Sequence, residues 1–221
     1  DIIYTFLATS NLFSIILKPI FYKKKYIWSI RDTYNNNKKI TISIFHVILK
    51  YFSNVVPDLI IANSYAGKKS YVNYGYERNK ISVICNGIDL DTFKYDFERR
   101  KVFREKFGYS EKIILIGIIG RFNQGKGHKD FILASKSLSK ISDNCRFMIV
   151  GKGSNREIEK IVNLIDKLNM KDKITISSPK TSLTDYYNGI DIITSTSYDE
   201  GSSNVLLEAL ACNTHCVATK V

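Results

Sequence analysis

Only three prolines occur in 221 residues. Little interrupts the backbone, so long regular elements are expected. Cysteine is scarce and scattered: Cys85, Cys145, Cys212 and Cys216 form no C-x-x-C pair, and His215 beside Cys216 does not complete a zinc site. The expectation is free, buried thiols in a reducing cytoplasm, with no metal held. No apolar run reaches the roughly 18 residues of a membrane span. LFSIILKPIF is broken by Lys18 and Pro19, and ITISIFHVILKYF by His46 and Lys50. No signal-peptide pattern stands at the start. An interleaved aromatic-and-basic stacking motif is also missing, so nucleic acid is not an expected partner.

What is present suits a globular chain: 44% hydrophobic and 24% charged residues. The net charge is +12. Residues 1–93 hold 12 basic against 6 acidic side chains, and residues 94–221 hold 21 against 15. The excess is therefore spread evenly and is no basic tail. Its densest point is Lys23, Lys24 and Lys25, after an apolar run. That cluster reads either as a solvated face or as a contact with anionic lipid headgroups at the inner face of the plasma membrane.

Short β-branched runs alternate with longer amphipathic ones. Strands are expected at DIIYTF, YIWSIR, DLIIANS, ISVIC, IILIGIIG, RFMIVG, KITIS, DIITSTS and CVATKV. Helices are expected around 10–20, 41–55, 65–74, 98–107, 129–141, 155–169, 182–188 and 204–212. In 155–169, Ile158, Ile161, Val162, Ile165 and Leu168 follow the helical period. The alternation predicts an α/β fold of parallel sheets covered by helices. NNNKK at 35–39 reads as a polar loop. Asn-Gly at 86–87 and the charged stretch after it read as a turn and linker, which places a domain boundary near residue 93. The sequence enters a strand-like run at Asp1 and stops at Val221 inside another. The expectation is an internal fragment, inactive alone, from an active parent.

GRFNQGKGHK, residues 120–129, poses the functional question. Gly120, Gly125 and Lys126 fit the triphosphate loop G-x-x-x-x-G-K-[ST], but Gly127 replaces the hydroxyl residue that would hold magnesium. The loop follows a buried strand and precedes a helix, where open α/β sheets bind ligands. Arg121 and Lys126 are two cations five residues apart, a pattern suited to a diphosphate. A degenerate ATP loop and a surface loop with incidental charge remain alternatives. A second motif, DEGSSNVLLEALA at 199–211, places Glu200 after a strand, then Gly201, Ser202, Ser203 and Asn204 at a helix start. Ser203 or Asn204 suits the cap, and exposed N–H groups at such an end favour phosphate. Glu208 falls among apolar residues of that helix. A buried carboxylate needs a polar partner, either a sugar hydroxyl or, more blandly, a lysine.

Four motifs in order, N-G-I-D-x-x-x-F, G-R-x-x-x-x-K-G-H, V-G-K-G and E-G-x-x-x-N-V-L-L-E-A-L-A, make the chain resemble glycosyltransferase family 4 over nearly its whole length. The resemblance implies retaining, sugar-nucleotide-dependent enzymes of GT-B type, with two facing Rossmann-like domains, both incomplete here. Residues 1–93 would be the end of the acceptor-side domain and 94–221 the donor-nucleotide domain. It implies that Arg121 and Lys126 contact the donor diphosphate, Glu200 the sugar hydroxyls and Glu208 the ribose. Gly201–Asn204 would offer backbone N–H groups, and Ser178, Pro179 and Lys180 would lie near the base. Gly120, Gly127, Gly151, Gly153 and Val205 complete the implied donor set, with Arg121, Lys126 and Glu200 as its catalytic members. Asn86 to Asp89 would form the interdomain crossing. The implied partners are a nucleotide-sugar donor and a glycan or lipid-linked acceptor, with no metal and no cofactor beyond the donor.

The sequence departs from the family in places. Tyr4, Phe6 and Thr9 stand where a first-domain histidine is usual, so no histidine role on the acceptor side carries over. Ser178 replaces a glycine, and Asn213 and His215 replace glycine and proline after the last helix. Asn213 tolerates the left-handed conformation needed to end it, and His215 reads as a structural substitute. A catalytically impaired binding protein and a sugar-nucleotide epimerase of the same fold are the competing readings.

Overall fold

A computed structural model describes residues 1–33, 40–179 and 182–220. Lys180, the loop at 35–39 and the last residue of CVATKV lie outside the described residues. The chain forms two compact units, Asp1–Gly87 with Asp199–Ser202, and Ile88–Tyr198 with Ser203–Val221.

In the first unit β1 (Ile2–Phe6), β2 (Lys25–Ile30), β3 (Leu59–Ala62) and β4 (Ile81–Val83) form a parallel sheet in sequence order. Parallel neighbours require crossovers, supplied in turn by α1 (Leu7–Ile20), α2 (Ile40–Phe52) and α3 (Tyr65–Tyr74). Trp28, Ile60, Ala62 and Tyr71 centre the core. The buried Trp28 indole donates to Ser14 Oγ at 2.7 Å, which explains a buried serine on the inner face of α1. That helix starts earlier than the sequence indicates, because Leu7 turns the chain straight off β1 with φ 69°. Ser64 caps α3 by accepting from the Gly67 N–H at 2.9 Å, and Gly75 ends it at φ 109°.

The second unit is doubly wound. Its strands β5 (Ile114–Ile119), β6 (Cys145–Val150), β7 (Ile174–Ser177), β8 (Ile192–Ser195) and β9 (His215–Ala218) are parallel and ordered β7-β6-β5-β8-β9. Order reverses between β5 and β8, so the loops leaving their C-terminal ends diverge and open a crevice. Helices α5 (His128–Leu138) and α6 (Asn155–Lys167) cover one face. Helices α4 (Phe97–Phe107), α7 (Thr184–Gly189) and α8 (Asn204–Ala211) cover the other. On α6 the buried stripe is Ile161 and Ile165, flanked by Ile158, Leu164 and Leu168. Val162, expected in that stripe, is exposed instead. Cys145 and Cys212 are buried as expected, but Cys85 is exposed and Cys216 is half-buried.

Helix α4 reads as a polar surface helix, yet Arg104 is only 1% exposed. Its guanidinium donates to the carbonyls of Gly189 (3.2 Å), Ser110 (2.7 Å) and Ile113 (2.5 Å), and to Asp191 Oδ2 at 3.0 Å. Arg100 binds the other Asp191 oxygen at 2.8 Å. Asp191 also accepts the Leu115 N–H at 2.8 Å. This network ties α4 to the adjoining ends of β5 and β8.

Candidate functional site at the strand ends

The GRFNQGKG loop leaves β5 at the switch point. Asn123 Oδ1 accepts from the Lys126 N–H at 3.2 Å and caps a short 3₁₀ turn, Gln124–Lys126. Gly127 closes the turn at φ 67° and begins α5. A Cβ there would stand 1.9 Å from the Thr196 carbonyl oxygen, so both conformation and space require glycine.

The loop is pinned from two sides. From the β8 end, the Thr196 hydroxyl donates to the carbonyls of Lys126 (3.1 Å) and Gly127 (2.9 Å). The Tyr198 N–H donates to Gly125 O at 2.9 Å, and its phenol donates to Asp130 Oδ2 at 2.5 Å. From the β6 side, Gly120 N–H donates to Val150 O at 2.9 Å and Phe122 N–H to Lys152 O at 2.8 Å. Gly151 and Gly153 are glycine for this reason. An added Cβ would stand 1.9 Å from Gly120 O and 2.5 Å from Phe122 Cβ, respectively. Lys126 lays its aliphatic stem over Gly120, 3.6 Å from a Cβ built there. Arg121 is exposed at the end of β5.

Helix α8 starts with Ser203 as its N-cap, but the serine side chain makes no capping bond. The helix is half-buried rather than largely buried: Ala209 is enclosed, Asn204 and Leu210 are exposed, and Val205 lies between. Glu208 is half-buried too, and its partner is neither lysine nor solvent. The Tyr187 phenol donates to Glu208 Oε2 at 2.6 Å. Asn213, at φ 59°, follows the helix as expected, and His215 is an exposed residue of β9.

The second unit thus brings together Gly120, Arg121, Lys126, Gly127, Gly151, Gly153, Ser203, Asn204, Val205 and Glu208 at or beside the C-terminal ends of its strands. Pro179 follows β7. Glu200, Gly201 and Ser202 group with the first unit. There the Thr33 hydroxyl donates to Asp199, and a Cβ on Gly201 would stand 3.2 Å from Arg31 O. Thr196, Tyr198 and Tyr187 escape sequence reasoning. Each acts through a partner more than 20 residues away, and none carries a charge to mark it.

His128, the first residue of α5, is 4% exposed and packs edge-on against Phe122 at 5.2 Å. Burial pushes its pKa down, and the Lys126 charge adds to this. Unfolded histidine titrates near 6.5. Below that pH the unfolded chain binds a proton that folded His128 resists, so its contribution to stability is complete above about pH 6.5 and is lost as pH falls toward the folded value. Thermal melts from pH 8 to 5 are expected to show a steeper acid loss for wild type than for His128→Gln. Equal slopes over that range would refute the assignment.

Comparison with known proteins points the same way. Residues 99–221 match the family described as glycosyl transferases group 1, and residues 1–92 match Glycosyltransferase Family 4. The D-inositol 3-phosphate glycosyltransferase of Xylanimonas cellulosilytica is 28% identical over 173 residues, covering 74% of this chain and 41% of that protein. An N-acetylgalactosaminyltransferase of Campylobacter jejuni, whose name gives a diphospho-undecaprenol substrate, is 26% identical over 163 residues, covering 73% of this chain and 41% of that protein. The chain therefore spans well under half the length of these curated relatives. In fold it resembles Anabaena HepE, solved with UDP and glucose, at TM-score 0.91 and 20% identity, covering all of this chain and 59% of that one. The chain belongs to the glycosyl transferases group 1 family and has the GT-B-type fold.

Proposed function

We propose that the chain is the donor-binding portion of a retaining glycosyltransferase that moves a sugar from a nucleotide-diphosphate sugar to a glycan or lipid-linked acceptor in surface polysaccharide or glycolipid synthesis. The observation that carries this reading is the pinned Gly120–Gly127 loop, which presents Lys126 beside Arg121 at the switch point. Breaking the anomeric bond leaves negative charge on the diphosphate. Two cations and the N-terminus of α8 answer that charge without a metal. At an effective dielectric of ~20, a cation ~4 Å away contributes roughly 4 kcal/mol of gross attraction. Glu200 would hold the donor sugar, and retention would follow from attack by the acceptor hydroxyl on the face the diphosphate leaves.

The lipid-linked acceptor draws support from the substrate named for the Campylobacter relative. A peripheral membrane contact draws support from α1 and the turn after it, where Phe13, Ile16, Ile20, Phe21 and Tyr22 are exposed. The lysine cluster contributes less charge than its sequence suggests, because Lys24 pairs with Asp1, and Lys25 with Asp58 at 3.2 Å. Among the described residues no helix is long and apolar enough to cross a membrane.

Calorimetry of the chain with UDP, GDP and magnesium-ATP tests the donor site. Metal-independent binding of UDP or GDP is expected. Preference for magnesium-ATP would return the loop to the triphosphate class and remove the glycosyltransferase reading of the site. Sedimentation with anionic vesicles tests the membrane arm, which fails if the chain stays in the supernatant.

A further inference from the structure

We propose that Tyr187 is a positioning residue that aims the Glu208 carboxylate at the ribose diol of the bound nucleotide. This rests on the donor reading above and adds the device that would make a flexible side chain selective. A glutamate has three side-chain torsions, and orienting it against a diol costs rotamer freedom. Here that freedom is already restricted. The Tyr187 phenol donates to Oε2 at 2.6 Å. Among the described residues Oε1 has no hydrogen-bond partner. An ionised carboxylate only accepts hydrogen bonds, and a vicinal diol offers two O–H donors. With one oxygen tied to the phenol, the carboxylate plane is fixed and Oε1 is left for the sugar.

The tyrosine is itself immobile. It is fully buried, and its ring packs against Phe93 with centroids 6.0 Å apart. Its carbonyl accepts from Thr214 Oγ1 at 2.5 Å, which anchors α7 to the segment just after α8. Burial and the facing carboxylate hold the phenol far above its ordinary pKa, so it remains a donor throughout the neutral range. The anchor therefore spans two elements, with Tyr187 on α7 and its target one turn inside α8.

The test is calorimetric binding of UDP and GDP, each beside its 2′,3′-dideoxy counterpart, to the chain and to Tyr187→Phe, Glu208→Gln and the double variant. Phenylalanine keeps the ring and its packing, and half-buried Glu208 can take a water in place of the phenol, so the fold is expected to survive. Wild type is expected to prefer the ribose form by about 10- to 100-fold, the range of a lost charge-assisted hydrogen bond. Tyr187→Phe is expected to reduce that preference to below about 3-fold with little effect on the dideoxy forms, and to add nothing further in the Glu208→Gln background. A preference that survives unchanged in Tyr187→Phe, or effects that simply add in the double variant, would overturn the positioning role alone. Absence of any ribose preference in wild type that binds the nucleotides would overturn the role of Glu208, and that of Tyr187 with it. No nucleoside diphosphate binding at all would remove the donor reading itself.

Discussion

Lys126→Ala is expected to weaken nucleoside diphosphate binding by about 10- to 100-fold, the share of one charge-assisted hydrogen bond to phosphate. The substitution is clean because the loop does not depend on the lysine side chain. Asn123 caps the turn through the Lys126 N–H, and Thr196 binds the Lys126 carbonyl, so both anchors survive in alanine. What goes is the ammonium and the stem over Gly120. Lys126→Arg should recover part of the loss, since charge is restored but not its position. The deficit should shrink as salt rises, because the loop is at the surface and its field is screened. In a transfer assay the deficit should be larger, about 100- to 1000-fold, since charge on the leaving diphosphate grows toward the transition state. Calorimetry at low and high salt reads the first effect. Equal affinity of wild type and Lys126→Ala at low salt would show that the loop does not grip phosphate.

Arg104→Ala carries the largest expected cost in stability. The guanidinium serves three backbone carbonyls and Asp191 from a position closed to water. Truncation leaves those acceptors without their donor, and breaking a buried pair of this kind typically costs about 3–5 kcal/mol. That is a large fraction of the ~5–15 kcal/mol that holds a domain together. Lys160 is the contrast. It pairs with Glu157 at 2.9 Å but is mostly exposed, so Lys160→Ala should cost no more than about 0.5 kcal/mol. Denaturant titrations of the two variants separate the cases. A cost under about 1 kcal/mol for Arg104→Ala would mean that water reaches the carbonyls and the network is not structural.

Most of the fold is legible in the sequence, for physical reasons that can be named. Runs such as IILIGIIG and RFMIVG are β-branched and buried on both faces, which marks parallel strands. The helices between them end at Gly75, Gly108 and Asn213, all at positive φ. The loop carrying Arg121 and Lys126 is legible as a phosphate loop from its two cations and three glycines. Its shape is not, because the 3₁₀ turn depends on Thr196 and Tyr198, 70 or more residues away. Arg104 is hidden in the same way. FERRKVFREKF has the composition of a surface helix, and only Asp191, 87 residues later, turns one of its arginines inward. Glu208 could be singled out as a carboxylate needing a partner, but no pattern in YYNGID marks Tyr187 as that partner. Local signals set the elements; contacts distant in sequence set the site.

The strand order of the second unit also has a consequence for how the chain folds. The central strand β5 pairs with β6 about 30 residues on and with β8 about 75 residues on. As the chain leaves the ribosome, β5, β6 and β7 can associate while one long edge of β5 has nothing to bind. Until Asp191 emerges, Arg104 has no carboxylate and the Leu115 N–H no acceptor. Closing that long loop is entropically slow, so the edge stays open for much of synthesis. An open, apolar β5 edge is a template for other chains. The same arrival of β8 that completes the phosphate loop also removes this aggregation hazard.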